Sequence, residues 1–154
     1  HRHHGLDTRI VRIFNTYGPY MRHNDGRVMP NFIVQALKGD DLTVYGTGEQ
    51  TRSFCFVDDM VDGIMKMALS DYEGPVNIGN IDEYSVLELA EKIIAFTGSS
   101  SEIVHRPLPQ ADPVRRKPDL SLAQKELGYE AHVNFEDGVK KTIDYFRSVL
   151  EKKS

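Results

Sequence analysis

Cysteine is nearly absent: Cys55 is the only one in 154 residues. A single thiol excludes an internal disulfide framework and fits a reducing compartment, so a cytoplasmic location is expected. No apolar run approaches the about 20 residues that a membrane-spanning helix needs, and no secretory signal is visible. An excess of positive charge is missing too. Lysine and arginine number 19 against 23 acids, for a net charge of −4 and a pI near 5.9. That balance excludes a general nucleic-acid or membrane-surface binder, so any positive charge that meets an anion must be local. Internal repeats and low-complexity segments are also lacking. What remains, at 40% hydrophobic residues, is one ordinary globular unit with enough apolar material for a core.

The familiar catalytic signatures are missing as well: there is no GxSxG, no HExxH and no P-loop. The opening HRHHGLD has three histidines, His1, His3 and His4, but no cysteine or carboxylate set completes a metal site. The end of a helix or an added tail is the expected reading. Cys55 is assigned to packing and His105 to the surface, since no partner motif accompanies either.

Thr8 to Phe14 (TRIVRIF) is rich in β-formers without clean alternation, as expected of a strand buried on both faces. It ends on Asn15, followed by the turn formers of TYGP. Residues 20–27 (YMRHNDGR) read as a loop, and VMPNFIVQAL has helical spacing with Pro30 in its first turn. LTVYG and TRSFCFV, separated by TGEQ, predict a β-hairpin turning on Gly46 and Gly48. Asp58 or Asp59 is expected to cap a helix running to Leu69 with Met60, Val61, Ile64, Met65, Ala68 and Leu69 on one face. PVNIGN is a second buried strand ending on asparagine. Ser85 and Glu88 form a capping box for a helix stopped by Gly98. Residues 102–105 predict a strand, PLPQADPVRRKPD a loop, and LSLAQKELG and FEDGVKKTIDYFRSVL two closing helices. Alternating strands and helices make the fold class α/β.

Arginines stand among these turns. Arg27 ends the NDGR loop, Arg52 follows the glycine turn, and Arg115 and Arg116 lie in the proline segment, three residues before Asp119 in the latter case. Guanidinium forks hold phosphate oxygens bidentately, and in an acidic chain loop arginines suit a diphosphate better than a long polyanion. Surface cations in ion pairs are the plain alternative for each of them. Tyr45, next to Gly46, offers a face on which a base could stack, or a half-buried strand aromatic.

RIFNTYGP, NDGRVMPNFIVQAL, LTVYGTGEQTRSFCFVDDMVDGI, PVNIGN and DPVRRKPD occur in this order. Together they resemble the latter half of the extended short-chain dehydrogenase/reductases that act on nucleotide sugars, nearest to the UDP-glucuronate decarboxylase group. The resemblance covers essentially the whole chain. It implies late strands and a helix of a Rossmann-type lobe in residues 1–20 and 54–80, and a smaller nucleotide-sugar-binding lobe in residues 21–53 and 81–154. Asn15 resembles the family asparagine that meets the sugar diphosphate at a strand end, where ligands of such sheets gather. By the same resemblance Thr43 and Tyr45 lie beside the uracil, Arg52 and Arg116 grip the diphosphate, and Asp119 lies near the ribose. Thr16, Tyr17 and Arg27 fall on the NAD side, with Arg27 alternatively near the sugar carboxylate.

The activity implied is oxidation at sugar C4 by NAD, loss of CO2, and return of the hydride to give UDP-xylose, with a tyrosine and a lysine four residues on as the catalytic pair. No tyrosine here is followed by lysine at that spacing, and the glycine-rich dinucleotide fingerprint is absent. In the family both precede the region matched here. The resemblance therefore implies a chain that starts past its catalytic pair, is inactive alone, and needs an N-terminal Rossmann half. Unpaired strand edges and an uncovered apolar helix face are expected, with self-association following from them. Full-length relatives are expected to be homodimers through helices of that other half. Pro30, where the decarboxylase pattern has serine, leaves open a 4,6-dehydratase or 4-epimerase. A stand-alone sugar-nucleotide-binding domain is the alternative of another class.

Overall fold

The computed structural model describes residues 4–107 and 115–152, Arg115 by its backbone only. His1 and His3, and residues 108–114 of the proline segment, lie outside that range. Among the described residues no group of three metal-ligating side chains occurs, and no helix is long and apolar enough to cross a membrane.

The fold is α/β with parallel pairing between strands distant in sequence. Strand β1 (Ile10–Ile13) runs parallel to β6 (Pro75–Ile78). Immediately beyond it, β2 (Thr16–Tyr17) runs parallel to β5 (Cys55–Phe56). Strand β3 (Leu42–Tyr45) is parallel to β8 (Ile103–Arg106). Strand β4 (Thr51–Ser53) is antiparallel to β7 (Glu83–Ser85) on one side and parallel to β9 (Arg115–Arg116) on the other. The helices are α1 (Val28–Lys38), α2 (Val57–Leu69), α3 (Val86–Thr97), α4 (Ser121–Leu127) and α5 (Phe135–Glu151).

Two expectations are corrected here. LTVY and TRS do not form a hairpin: β3 takes its partner from β8 and β4 from β7 and β9, so the two strands lie in different sheets. The glycine turn between them survives, with Gly46 and Gly48 at positive φ. A side chain at Gly48 would also press on Val44 and Leu87, with a Cβ 2.9 Å from Val44 Cγ1. The proline segment is not loop throughout, because Arg115 and Arg116 pair with β4.

Helix α2 starts differently from expectation. Its N-cap is Phe56, which supplies no side-chain cap, and Asp58 and Asp59 both sit inside the first turn. There they suit the helix dipole. Asp59 is buried and accepts the backbone N–H groups of His132 and Val133 at 3.1 and 3.0 Å. It tethers the approach to α5 instead of capping its own helix. Helix α3 begins as expected: Ser85 Oγ accepts the Glu88 N–H, the Glu88 carboxylate accepts the Ser85 N–H, and Gly98 closes the helix in the left-handed conformation. These bonds hold the Glu88 carboxyl below its usual pKa. Ser85→Ala is expected to cost about 1 kcal/mol and lower Tm by roughly 3 °C. A thermal melt unchanged by that substitution would mean that the box is not formed.

Two apolar clusters fill the interior. The larger joins Phe32 and Ile33 of α1, Leu42 and Val44 of β3, Leu89 and Ile93 of α3, and Val139, Ile143 and Phe146 of α5. The smaller joins Cys55, Met60, Met67, Val76, Ile78, Ala123 and Tyr129. Cys55 is fully buried, as packing requires, and burial pushes its thiol pKa up to about 11.

Strand β1 is not buried on both faces. Among the described residues it pairs only with β6, and Ile10 and Ile13 remain 51% and 58% exposed. On α2, Met60 and Met67 are buried, whereas Val61, Met65 and Leu69 face outward. The uncovered apolar helix face expected of this region is therefore present.

Candidate functional site

Two adjoining cavities open beyond the carboxyl end of β1. The first, about 370 Å³, lies between α1, β3 and the start of β4, and its lining includes Asn15, Thr16, Arg27, Thr43, Tyr45 and Arg52. The second, about 470 Å³, is lined by residues 12–16 together with Arg27 and Arg116. Asn15, Thr16 and Arg27 are common to both. No carboxylate lines either cavity among the described residues, although the chain is acidic overall. Arg52 and Arg116 bring positive charge to these cavities in an otherwise negative molecule, while Asp25 pairs with Arg27.

Each residue is placed by its element. Asn15 links β1 to β2, where its carbonyl accepts the Cys55 N–H at 2.8 Å and ties the strand end to β5. Thr16 donates its hydroxyl to the Phe14 carbonyl at 2.9 Å. Arg27 is oriented by Asp25, which accepts from its Nε at 2.6 Å and from its backbone N–H at 3.0 Å, and ion-pairs with its Nη2. Its remaining nitrogen reaches the Thr16 carbonyl at 3.5 Å. Arg52 is the central strand's residue and is only 8% exposed, with Nη1 donating to the Thr51 carbonyl at 2.7 Å. Arg116, on β9, is brought beside β4 by strand pairing with Arg52 itself. Tyr45 stands at the mouth, 45% exposed. His105 is exposed, as expected, with Nδ1 at 2.8 Å from the carbonyl of Gly46 in the turn after Tyr45.

Two residues singled out from the sequence stand apart from these cavities. Tyr17 is 2% exposed, donates its hydroxyl to the Phe135 carbonyl at 3.2 Å and packs edge-on against Phe54 and Phe56. Burial holds its pKa far above the ordinary phenol value, so it stays a neutral core donor. Asp119 is exposed. Its carboxylate accepts the hydroxyl and the backbone N–H of Ser121 at 2.7 and 2.9 Å, at the start of α4. Those bonds lower its pKa.

Sequence reasoning missed Gln35 and Gln50, which line the first cavity together with Asn31 and Phe54. The available signal was small: Gln35 is the polar position among the buried Phe32, Ile33 and Ala36 of α1.

Comparison with known proteins follows the same lines. A profile described as the NAD dependent epimerase/dehydratase family matches residues 1–79. UDP-glucuronic acid decarboxylase 1 of Xenopus tropicalis is 50% identical over 147 residues, which is 96% of this chain and 35% of that protein. A UDP-glucose 4-epimerase from Thermotoga maritima, solved with UDP-glucose, superposes with a TM-score of 0.92 at 30% identity, covering 97% of this chain and 48% of that one. A UDP-glucuronic acid 4-epimerase from Bacillus cereus, solved with UDP-glucuronic acid and NAD, gives a TM-score of 0.88 at 27% identity over the same shares. The chain thus spans between about a third and a half of the length of these relatives.

Proposed function

Because the chain belongs to the NAD dependent epimerase/dehydratase family, we propose that it is the nucleotide-sugar-binding portion of an NAD-dependent UDP-glucuronate decarboxylase. The observation that carries the reading is the convergence of Asn15, Arg27, Arg52 and Tyr45 on one cavity. The 50% identity with a UDP-glucuronic acid decarboxylase supports the choice of reaction within the family. The residues divide by chemistry. Arg52 and Arg116 offer guanidinium forks to the diphosphate, the Asn15 amide meets it at the strand end, and the Thr43–Tyr45 edge lies beside the uracil.

NAD, which the family uses, fits the second cavity's polar rim. Thr16 and Arg27 present a hydroxyl and a guanidinium there, suited to amide and phosphate oxygens. When bound, the nicotinamide accepts the hydride from the sugar and returns it. Arg27, fixed by Asp25, holds anionic oxygen at that rim, whereas Tyr17 supports it only through the core. No tyrosine–lysine pair at the family spacing is present in these residues. Turnover therefore requires the Rossmann half, and the chain alone binds without converting.

The solved epimerases favour a second reading, a 4-epimerase acting on the same class of UDP-sugar. Product analysis of an enzyme containing both halves separates the two, since only the decarboxylase releases CO2.

Calorimetric titration with UDP and with uridine tests the binding reading. A charged hydrogen bond contributes roughly 1.5–3 kcal/mol, so UDP is expected to bind at least about tenfold more tightly than uridine. Equal affinities would mean that the arginines do not touch the diphosphate.

A further inference from the structure

Strand β3 has one paired edge and one open edge. The N–H groups of Leu42 and Gly46 donate to the carbonyls of Glu102 and Arg106, each at 2.8 Å. Alternation along a strand then turns the backbone groups of Thr43 and Tyr45 to the opposite side. No strand lies there among the described residues, because β3 and β8 form a two-stranded sheet. That edge meets the first cavity, whose lining includes Thr43, Tyr45, Gln35 and Gln50.

Four backbone groups stand along this edge in the order N–H and C=O of Thr43, then N–H and C=O of Tyr45. Two are occupied. Gln35 Oε1 accepts the Thr43 N–H at 3.3 Å, while Gln35 Nε2 donates to Thr43 Oγ1, also at 3.3 Å. Gln50 Nε2 donates to the Tyr45 carbonyl at 2.9 Å. The two outer groups are thus taken by side-chain amides reaching from different elements, and the inner pair, Thr43 C=O and Tyr45 N–H, is left facing the cavity.

We propose that Gln35 and Gln50 are positioning residues that fix where a base docks along β3, by leaving one donor–acceptor pair to receive it. The imide edge of uracil presents an N–H beside a carbonyl. Its N–H donates to the Thr43 carbonyl, and its neighbouring carbonyl accepts the Tyr45 N–H. Without Gln35, the Thr43 N–H would compete with the Tyr45 N–H for the uracil carbonyl from the other side of the shared Thr43 carbonyl, and the base would dock turned over as well as upright. A base turned over would lead its ribose and diphosphate away from Arg52. Gln35 therefore acts on the far end of the ligand through the base it never touches. The inference rests on the nucleotide reading of the preceding subsection.

Amide-resolved NMR on the isotope-labelled chain, titrated with UDP, tests it. In the wild-type chain the Tyr45 amide is expected to shift downfield as UDP binds, with the Thr43 amide near its free position. Gln35→Met, which keeps the length but offers no amide, should make the Thr43 amide responsive. Gln35→Glu, whose carboxylate can accept both the Thr43 N–H and its hydroxyl, should keep the wild-type pattern. UDP binding with a silent Tyr45 amide, or with a Thr43 amide equally responsive in the wild-type chain, would overturn this inference alone. Failure of UDP to bind the folded wild-type chain would overturn it together with the nucleotide reading.

Discussion

Arg52→Ala is expected to weaken UDP binding by about 30-fold or more, the largest loss from any single arginine of the site. Truncating one partner of a buried, hydrogen-bonded charge pair costs about 2–5 kcal/mol, of which the lower end is a 30-fold change in Kd. Arg52 meets that description because it is nearly buried on the central strand of the β7–β4–β9 sheet, while its side chain lines the first cavity. Its bond to the Thr51 carbonyl pre-sets the guanidinium, so little side-chain entropy is lost on binding. Arg116 is exposed, and its Ala variant is expected to lose less because water screens the interaction. Arg52→Lys should recover only part of the loss, since a single ammonium cannot reproduce the fork. Calorimetry on the three variants, each first checked for a native thermal transition, gives the order. An Arg52→Ala chain that binds UDP like the wild type would remove Arg52 from the site.

Asp59→Ala is expected to lower stability by roughly 3 kcal/mol and Tm by roughly 10 °C. The carboxylate is buried on α2 and accepts two backbone N–H groups from His132 and Val133. Alanine leaves both donors without their partner, and hydrogen bonds to a charged acceptor are the stronger class. The effect reaches the site through a short path. Val133 precedes α5, the carbonyl of its first residue, Phe135, accepts the Tyr17 hydroxyl, and Tyr17 follows directly on Asn15 and Thr16. Asp59→Asn, which keeps one acceptor oxygen, should fall between the two. Thermal unfolding followed by circular dichroism measures all three, and a Tm for Asp59→Ala within 2 °C of wild type, about the shift that 0.5–1 kcal/mol produces, would show the tether to be without weight.

The helices were the most legible part of the fold. Apolar spacing located α1 and α2, and the SVLE stretch announced the start of α3 because a capping box is written in local sequence. Strand partners were less legible, for the opposite reason. LTVY and TRS with two glycines between them look like a hairpin, yet β3 pairs with a strand some 60 residues away, and nothing local encodes that choice. The two-sided burial read into TRIVRIF reflects composition alone; in the described residues β1 has one neighbour.

Residues singled out from the sequence gather at the candidate cavities where their chemistry and a turn coincide. Arg27, Arg52, Asn15, Thr16, Thr43 and Tyr45 share one cavity, with Arg116 in the adjoining one. Tyr17 lies apart from the cavities because a tyrosine at a strand end can face either ligand or core, and three phenylalanines, Phe54, Phe56 and Phe135, draw it inward. Asp119 was taken by the nearer demand of Ser121 at the start of α4. Gln35 was hidden because a lone polar residue in an amphipathic helix carries no signature of what it will bond.

A crystal structure of the chain with UDP bound tests the central claim most directly. The diphosphate is expected against Arg52, the uracil imide on the Thr43 carbonyl and Tyr45 N–H, and the open end of the nucleotide directed towards Asn15. UDP lodged elsewhere, or lying in this cavity with its base towards Asn15 and its phosphates towards Tyr45, would contradict it.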